Sequence, residues 1–159
     1  VAQPNLMLKN LKSNPRQILK SWYIFFFQIP KLPAKLIGNK LTNRALEELL
    51  KRFTNPGTFP KDVLKRYRES WEIPGAAASM ANYYKAIFRY GDPAPEEKQV
   101  EKPFLLLWGE NDIAFARGVA EESIKYCNNG QLKKYPDASH WVHSDFPDEV
   151  NKDILEFIK

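Results

Sequence analysis

The sequence predicts an α/β chain in which a long helical stretch precedes a strand–helix–strand–helix tail. Two observations carry that expectation. From Asn5 to about Tyr90, apolar residues recur at helical spacing, interrupted by prolines. After a segment rich in proline and charge, 91–102, the pattern changes to a continuous apolar run, Pro103-Phe104-Leu105-Leu106-Leu107-Trp108. A run without alternation fits a strand of a parallel sheet covered on both faces. The expected division is a helical region over 1–95 and a strand-bearing region over 96–159.

Taken in order, Ser13-Asn14-Pro15 offers an N-cap followed by proline at the first helical position. The helix that follows carries Ile18, Trp22 and Phe25 at helical spacing, with Leu19, Tyr23, Phe26 and Phe27 beside them. It is apolar around most of its circumference and is expected to be buried. Gln28-Ile29-Pro30 ends it. Asn43 is expected to cap a helix through Leu46, Leu49, Leu50 and Phe53. Asn55-Pro56-Gly57 reads as a turn. Pro60 opens a helix with Val63, Leu64, Tyr67 and Trp71 on one face, and Ile73-Pro74-Gly75 breaks it. The next helix, from Ala76 to about Tyr90, has Met80, Tyr83, Tyr84, Ile87 and Phe88 as its stripe.

In the tail, Gly109-Glu110-Asn111-Asp112 turns the chain out of the first strand. A helix from about Ala116 to Asn128 follows, stopped by Asn129-Gly130. Gln131 to Tyr135 is a second, more polar strand, suited to a sheet edge. A loop holding both histidines, His140 and His143, leads to a last helix from Pro147 with Val150, Ile154, Leu155 and Ile158 on its apolar face. Strand, helix, strand implies a parallel pair joined by a crossover. Two strands alone make a weak sheet, so Phe104 to Trp108 calls for further neighbours.

Composition narrows the function classes. With 43% apolar residues the chain is globular in character, not disordered. The net charge of +5 is spread over helix-like segments and mixed with glutamates, which speaks for solvated faces and against a nucleic-acid partner. Cys127 is the single cysteine, so no internal disulfide forms, no oxidising compartment is indicated, and a cytoplasmic setting is expected. Nothing near Cys127 suggests activation of its thiol. The cluster Trp22 to Phe27 is too short to span a bilayer. No signal-peptide pattern opens the chain. Val1 to Pro4 lack an initiator methionine, and the expectation is a piece of a longer chain or a separately made half. His140, His143, Asp137 and Asp145 share one loop, but without a ligand spacing that specifies geometry, and neither a metal nor a cofactor is expected.

In open parallel sheets, reactive residues sit on loops beyond the carboxyl ends of strands. Asp112 lies just past the first strand and His140 just past the second. A carboxylate there can fix the imidazole tautomer and stabilise the imidazolium, leaving the other ring nitrogen as a base. The plainer alternatives are a turn aspartate and a loop histidine satisfied by backbone; Asp92 is the alternative acid. His143 reads as a bystander.

The residues Leu105-Leu106-Leu107-Trp108-Gly109-Glu110-Asn111-Asp112 and Ala138-Ser139-His140-Trp141-Val142 resemble the acid and histidine motifs of the α/β-hydrolase-fold epoxide hydrolases. The helical region resembles the cap of the same family, notably at Asn14-Pro15-Arg16-Gln17 and Ser21-Trp22-Tyr23-Ile24-Phe25-Phe26-Phe27-Gln28. The resemblance covers nearly the whole chain. It implies an α/β-hydrolase fold in incomplete form: a helical cap followed by the last two parallel strands and helices of the core sheet.

The resemblance also implies roles. Tyr23 and Tyr84, with Tyr83 as the register alternative to the latter, would hold the oxygen of a small-molecule epoxide. Neutral phenols suit that task, because ring opening makes an alkoxide that needs a hydrogen-bond donor and then a proton. Phe26 and Trp141 would wall the substrate pocket. An aspartate would attack the ring carbon to form an alkyl-enzyme ester, and His140, oriented by Asp112, would activate the water that hydrolyses it. The family's nucleophile elbow and its His-Gly-x-Pro loop have no counterpart in these 159 residues. A complementary N-terminal α/β-hydrolase polypeptide is therefore the expected partner, and the chain alone is expected to be inactive. The alternatives are a haloacid or haloalkane dehalogenase-like hydrolase, which would need halide-stabilising groups in place of paired phenols, and a truncated non-catalytic binding fragment.

Overall fold

A computed structural model describes residues 4–37, 39–90 and 99–159. The helices of the first part are α1 (Pro4–Ser13), α2 (Pro15–Lys20), α3 (Trp22–Phe26), α4 (Leu32–Leu36), α5 (Lys40–Arg52), α6 (Lys61–Glu72) and α7 (Ala76–Tyr90). Then come β1 (Phe104–Gly109), α8 (Val119–Ile124), β2 (Gly130–Tyr135), α9 (Val142–Asp145) and α10 (Pro147–Phe157). The chain divides into two compact units: residues 4–21 with 99–159, and residues 22–90. The first two helices thus group with the strands, and not with the helical stretch they adjoin in sequence. Asp92 lies outside the described residues.

In the unit that holds the strands, β1 and β2 pair in parallel, from Phe104 opposite Gly130 to Gly109 opposite Tyr135. The strands, their order and their parallel sense are as expected. β1 is less enclosed than its composition suggests: Leu106 and Gly109 are buried and the other four residues half-buried. A continuous apolar run favours cover on both faces, but among the described residues β1 pairs only with β2. Tyr135, Ala138, Val142 and Val150 form one apolar cluster, with Leu107 and Phe146 against it. Leu6 of α1, Ala116 and Val119 form a second, with Trp108 and Phe115.

Behind β2, the Tyr135 hydroxyl donates to Asp153 of α10, which also pairs with Lys133. The Lys133 and Tyr135 hydrogen bonds hold the Asp153 carboxyl below the usual carboxylate range. Burial and the Asp153 carboxylate push the Tyr135 phenol up.

The other unit is all helix. Ile37, Trp71 and Ala77 make its buried centre, with Phe27, Leu46 and Leu50 beside them. The predicted helix from Ala76 to Tyr90 is found with those bounds. One expectation fails here. The cap of α5 is Asn39, whose side chain accepts from the Leu41 amide at 2.9 Å. Asn43 is buried inside the helix and donates to Glu72 of α6. A polar residue with a tertiary partner does not need the cap position its type prefers.

The expected buried helix over 15–27 is broken at Ser21 into α2 and α3. Its buried positions are Gln17, Ser21 and Ile24, while Leu19 and Trp22 are 75% and 65% exposed. A helix apolar on all sides can bury whichever face meets a partner. Here hydrogen bonds made by Gln17 select the face.

The helix expected over 116–128 is only six residues long, Val119–Ile124. The amides just before it are drawn to side-chain acceptors, as described below. Gly118, at φ 91, makes the turn into the helix in a conformation that L side chains rarely adopt.

The two strand ends approach each other closely at Gly109. A Cβ there would meet the Ser139 carbonyl oxygen at 2.0 Å and that of Ala138 at 2.6 Å. Those contacts are backbone and cannot swing aside. Gly109→Ala should therefore destabilise the strand-bearing unit by about 1–3 kcal/mol or more, read as a lower midpoint in urea unfolding.

Candidate active site

The acid and the histidine come from the loops after β1 and β2, held together by backbone hydrogen bonds. The Glu110 amide donates to the Tyr135 carbonyl and the Asn111 amide to the Ala138 carbonyl, each at 3.0 Å. The Asn111 side chain adds a bond to the Pro136 carbonyl at 3.2 Å. These contacts continue the parallel pairing past the strands, and carry Asp112 and His140 out on the same side of the sheet's end.

Asp112 uses its two carboxylate oxygens differently. Oδ1 accepts from the Ala114 and Phe115 amides at 2.6 and 2.9 Å. Oδ2 lies 2.9 Å from His140 Nδ1. The backbone bonds fix the plane of the carboxylate and so the oxygen offered to the ring. The Asp112 side chain is 8% exposed and that of His140 35%. The acid is thus sheltered while the imidazole reaches solvent. With Nδ1–H donating to the carboxylate, Nε2 becomes the nitrogen that takes up a proton.

The histidine loop has its own supports. The Ser139 amide donates to Asp145 Oδ2 at 2.7 Å, and the Trp141 amide to Ser139 Oγ at 3.2 Å. Asp145 begins no new chemistry there; it ties the start of the loop to α9. Around the imidazole, Phe115 lies 6.1 Å away between ring centroids and Trp141 5.1 Å away, edge to face. Trp141 is therefore a neighbour of the histidine, whatever else it lines. His143, on α9, is exposed.

Two residues of α2 reach the acid loop. Gln17 Nε2 donates to the Ala114 carbonyl and Gln17 Oε1 accepts from the Ala116 amide, both at 2.8 Å. Lys20 Nζ donates to the carbonyls of Asp112 and Phe115, at 2.6 and 2.7 Å. Burial lowers the Lys20 pKa; the Asp112 carboxylate opposes that shift and Arg117 adds to it. Reading the sequence did not single out these two residues for this task. They lie far from Asp112 along the chain, and no local pattern signals such a contact.

The candidate phenols are assembled in the helical unit. The Tyr23 and Tyr84 rings meet edge to face, centroids 5.6 Å apart. Phe27 stacks on Tyr84 at 4.8 Å. Gln28 Nε2 ties α3 to α7 by donating to the Tyr84 carbonyl at 3.2 Å. Tyr84 is half-buried and Tyr83 is 70% exposed. Burial, and the neighbouring Tyr83, push the Tyr84 phenol above its ordinary range, while a side-chain hydrogen bond with Tyr23 pulls the other way. Phe26 lies against Trp22 and Phe27.

A cavity of about 350 Å³ opens beside the acid loop, lined by Trp108, Asp112, Phe115, Arg117 and Lys134 among others. His140 is not in its wall, so it does not by itself mark where a substrate would meet the base. Among the described residues, no three of His, Cys, Asp or Glu are grouped to hold a metal ion. Among them, too, no helix is long and apolar enough to cross a membrane.

Comparison with known proteins adds a family. The model described as alpha/beta hydrolase fold matches residues 15–147. The AB hydrolase superfamily protein YfhM of Bacillus subtilis is 34% identical over 160 residues, covering 100% of this chain and 55% of that protein. Epoxide hydrolase 4 of Homo sapiens is 34% identical over 166 residues, covering 98% of this chain and 44% of that protein. Among solved structures, a variant of an epoxide hydrolase from Bacillus megaterium, complexed with its product, is 26% identical with a TM-score of 0.75. It covers 94% of this chain and 55% of its own. The chain spans about half the length of the curated relatives it matches.

The direction of the Tyr84 shift gives a test of the phenol pair. Followed by the ultraviolet absorbance of phenolate, Tyr84 should ionise above the ordinary tyrosine range. In Tyr23→Phe the hydrogen bond that lowers it is lost, and its midpoint should rise further.

Proposed function

The chain belongs to the α/β-hydrolase fold family, and on that footing we propose that it supplies the acid–histidine pair and the oxygen-binding phenols of an epoxide hydrolase. The reaction opens an epoxide to a vicinal diol through an alkyl-enzyme ester. The observation that carries this reading is the pair of phenols, Tyr23 and Tyr84, meeting edge to face. The named epoxide hydrolases among the relatives support it.

Each group has a task suited to its surroundings. In the first step, a carboxylate oxygen forms a bond to a ring carbon as the carbon–oxygen bond of the epoxide breaks. That nucleophile is assigned to a complementary N-terminal α/β-hydrolase segment. The departing oxygen develops charge and is met by the two phenols, one of which gives up a proton. A phenol near neutral pH is protonated, as a donor must be, and burial of Tyr84 acts in the same direction.

In the second step, His140 Nε2 takes a proton from water, and the hydroxide attacks the ester carbonyl. The tetrahedral intermediate collapses, its own proton passing to the leaving oxygen, which releases the diol and restores the carboxylate; the proton held by His140 then returns through water to the phenolate left by the first step. Asp112 holds Nδ1–H throughout and stabilises the imidazolium that forms. Trp141 and Phe26 are proposed as apolar walls for the substrate.

The test uses this chain combined with a segment that carries the first six strands and the strand-elbow aspartate of a related hydrolase. Epoxide consumption should appear in the combination and be absent from either part. The double variant Tyr23→Phe with Tyr84→Phe should slow ring opening by about a hundredfold or more. His140→Gln should leave ring opening intact and let the ester accumulate, seen as added substrate mass on the nucleophile-bearing segment. Full turnover by His140→Gln would remove the base assignment, and no activity in any combination would remove the reading itself.

A further inference from the structure

We propose that Gln17, seconded by Lys20, is a positioning residue that sets the Asp112 carboxylate for His140. The inference rests on the reading of Asp112 and His140 as a working pair and adds what holds that pair.

The segment 112–116 is neither strand nor helix, so its backbone groups need partners from elsewhere. Two amides, of Ala114 and Phe115, go to Asp112 Oδ1. The remaining partners come largely from one face of α2. Gln17 takes the Ala116 amide and gives a hydrogen to the Ala114 carbonyl, so one carboxamide spans the loop with both of its ends. Lys20, three residues on and on the same helical face, holds the carbonyls of Asp112 and Phe115.

Gln17 is itself fixed. It is 1% exposed, and its second amide hydrogen goes to Ser21 Oγ at 2.8 Å. Its helix is anchored at the start, where Asn14 Oδ1 accepts from the Arg16 and Gln17 amides. A buried glutamine with every polar atom engaged dictates the path of the loop it touches. That path determines which Asp112 oxygen meets the backbone amides and which meets His140. Gln17 touches neither the imidazole nor any reacting atom, and acts only through Asp112.

The test reads the pair without activity. In nitrogen-labelled chain, magnetic resonance of the imidazoles reports the His140 Nδ1–H, which a carboxylate partner shifts downfield and protects from exchange. Gln17→Met keeps length and apolar bulk but loses all three side-chain hydrogen bonds. In it, the His140 Nδ1–H should exchange about tenfold faster or vanish, the scale expected when one hydrogen bond's contribution is lost. The exposed His143 serves as the internal control and should not change. Lys20→Met should act in the same direction, and Lys20→Arg, which can still reach two carbonyls, should restore the signal.

An unchanged His140 signal in Gln17→Met, with the β1 and β2 amides still protected, would overturn the proposal. If Gln17→Met does not fold, Lys20→Met decides by the same criterion. Asp112→Asn separates the two layers. A signal indifferent to Asp112→Asn defeats the acid–histidine reading and the proposal with it. A signal sensitive to Asp112→Asn but not to the α2 variants defeats the positioning role alone.

Discussion

The contact on which the site depends is the approach of two parallel strand ends. β1 and β2 run in register to Gly109 opposite Tyr135, and the chains beyond them remain bonded through Glu110 and Asn111. Gly109 permits that approach, because the carbonyls of Ser139 and Ala138 occupy the space a side chain would need. One step further along each loop stand Asp112 and His140. Their 2.9 Å contact is thus the last rung of a ladder that begins in the sheet. Any change that parts the strand ends parts the acid from the base.

The acid loop shows how local structure is overruled for the sake of a side chain. The sequence leads one to expect a helix from about Ala116 to Asn128. Instead, the Ala114 and Phe115 amides turn to the Asp112 carboxylate, and the Ala116 amide turns to Gln17. The helix starts only at Val119, after Gly118 has reversed the backbone. A carboxylate that accepts two amides holds the loop wrapped around it.

Much of this was legible in the residues. The apolar run at Phe104–Trp108 marked β1, the more polar Gln131–Tyr135 marked β2, and their separation by a crossover implied the parallel sense. The positions of Asp112 and His140 just past those strands followed from the same reading. What escaped it is instructive. The exposure of Leu19 and Trp22 was hidden because an all-round apolar helix does not say which face finds a partner. Asn43 looked like a cap because its type prefers caps, yet Glu72 offered it a tertiary bond. Gln17 and Lys20 showed no local signal, since their partners lie on a distant loop.

Chemically, a sheltered carboxylate behind a partly exposed imidazole suits the activation of water against an ester. The phenols of Tyr23 and Tyr84 suit a developing alkoxide. In the proposed reaction His140 works on the second of two steps. The most direct measurement is a single turnover of the combined chain and nucleophile-bearing segment in water labelled with heavy oxygen. If an ester forms and is cleaved at its carbonyl, the first diol released is unlabelled and the label enters the enzyme carboxylate. Label in the diol of that first turnover would mean that water attacks the epoxide directly, and would contradict the account.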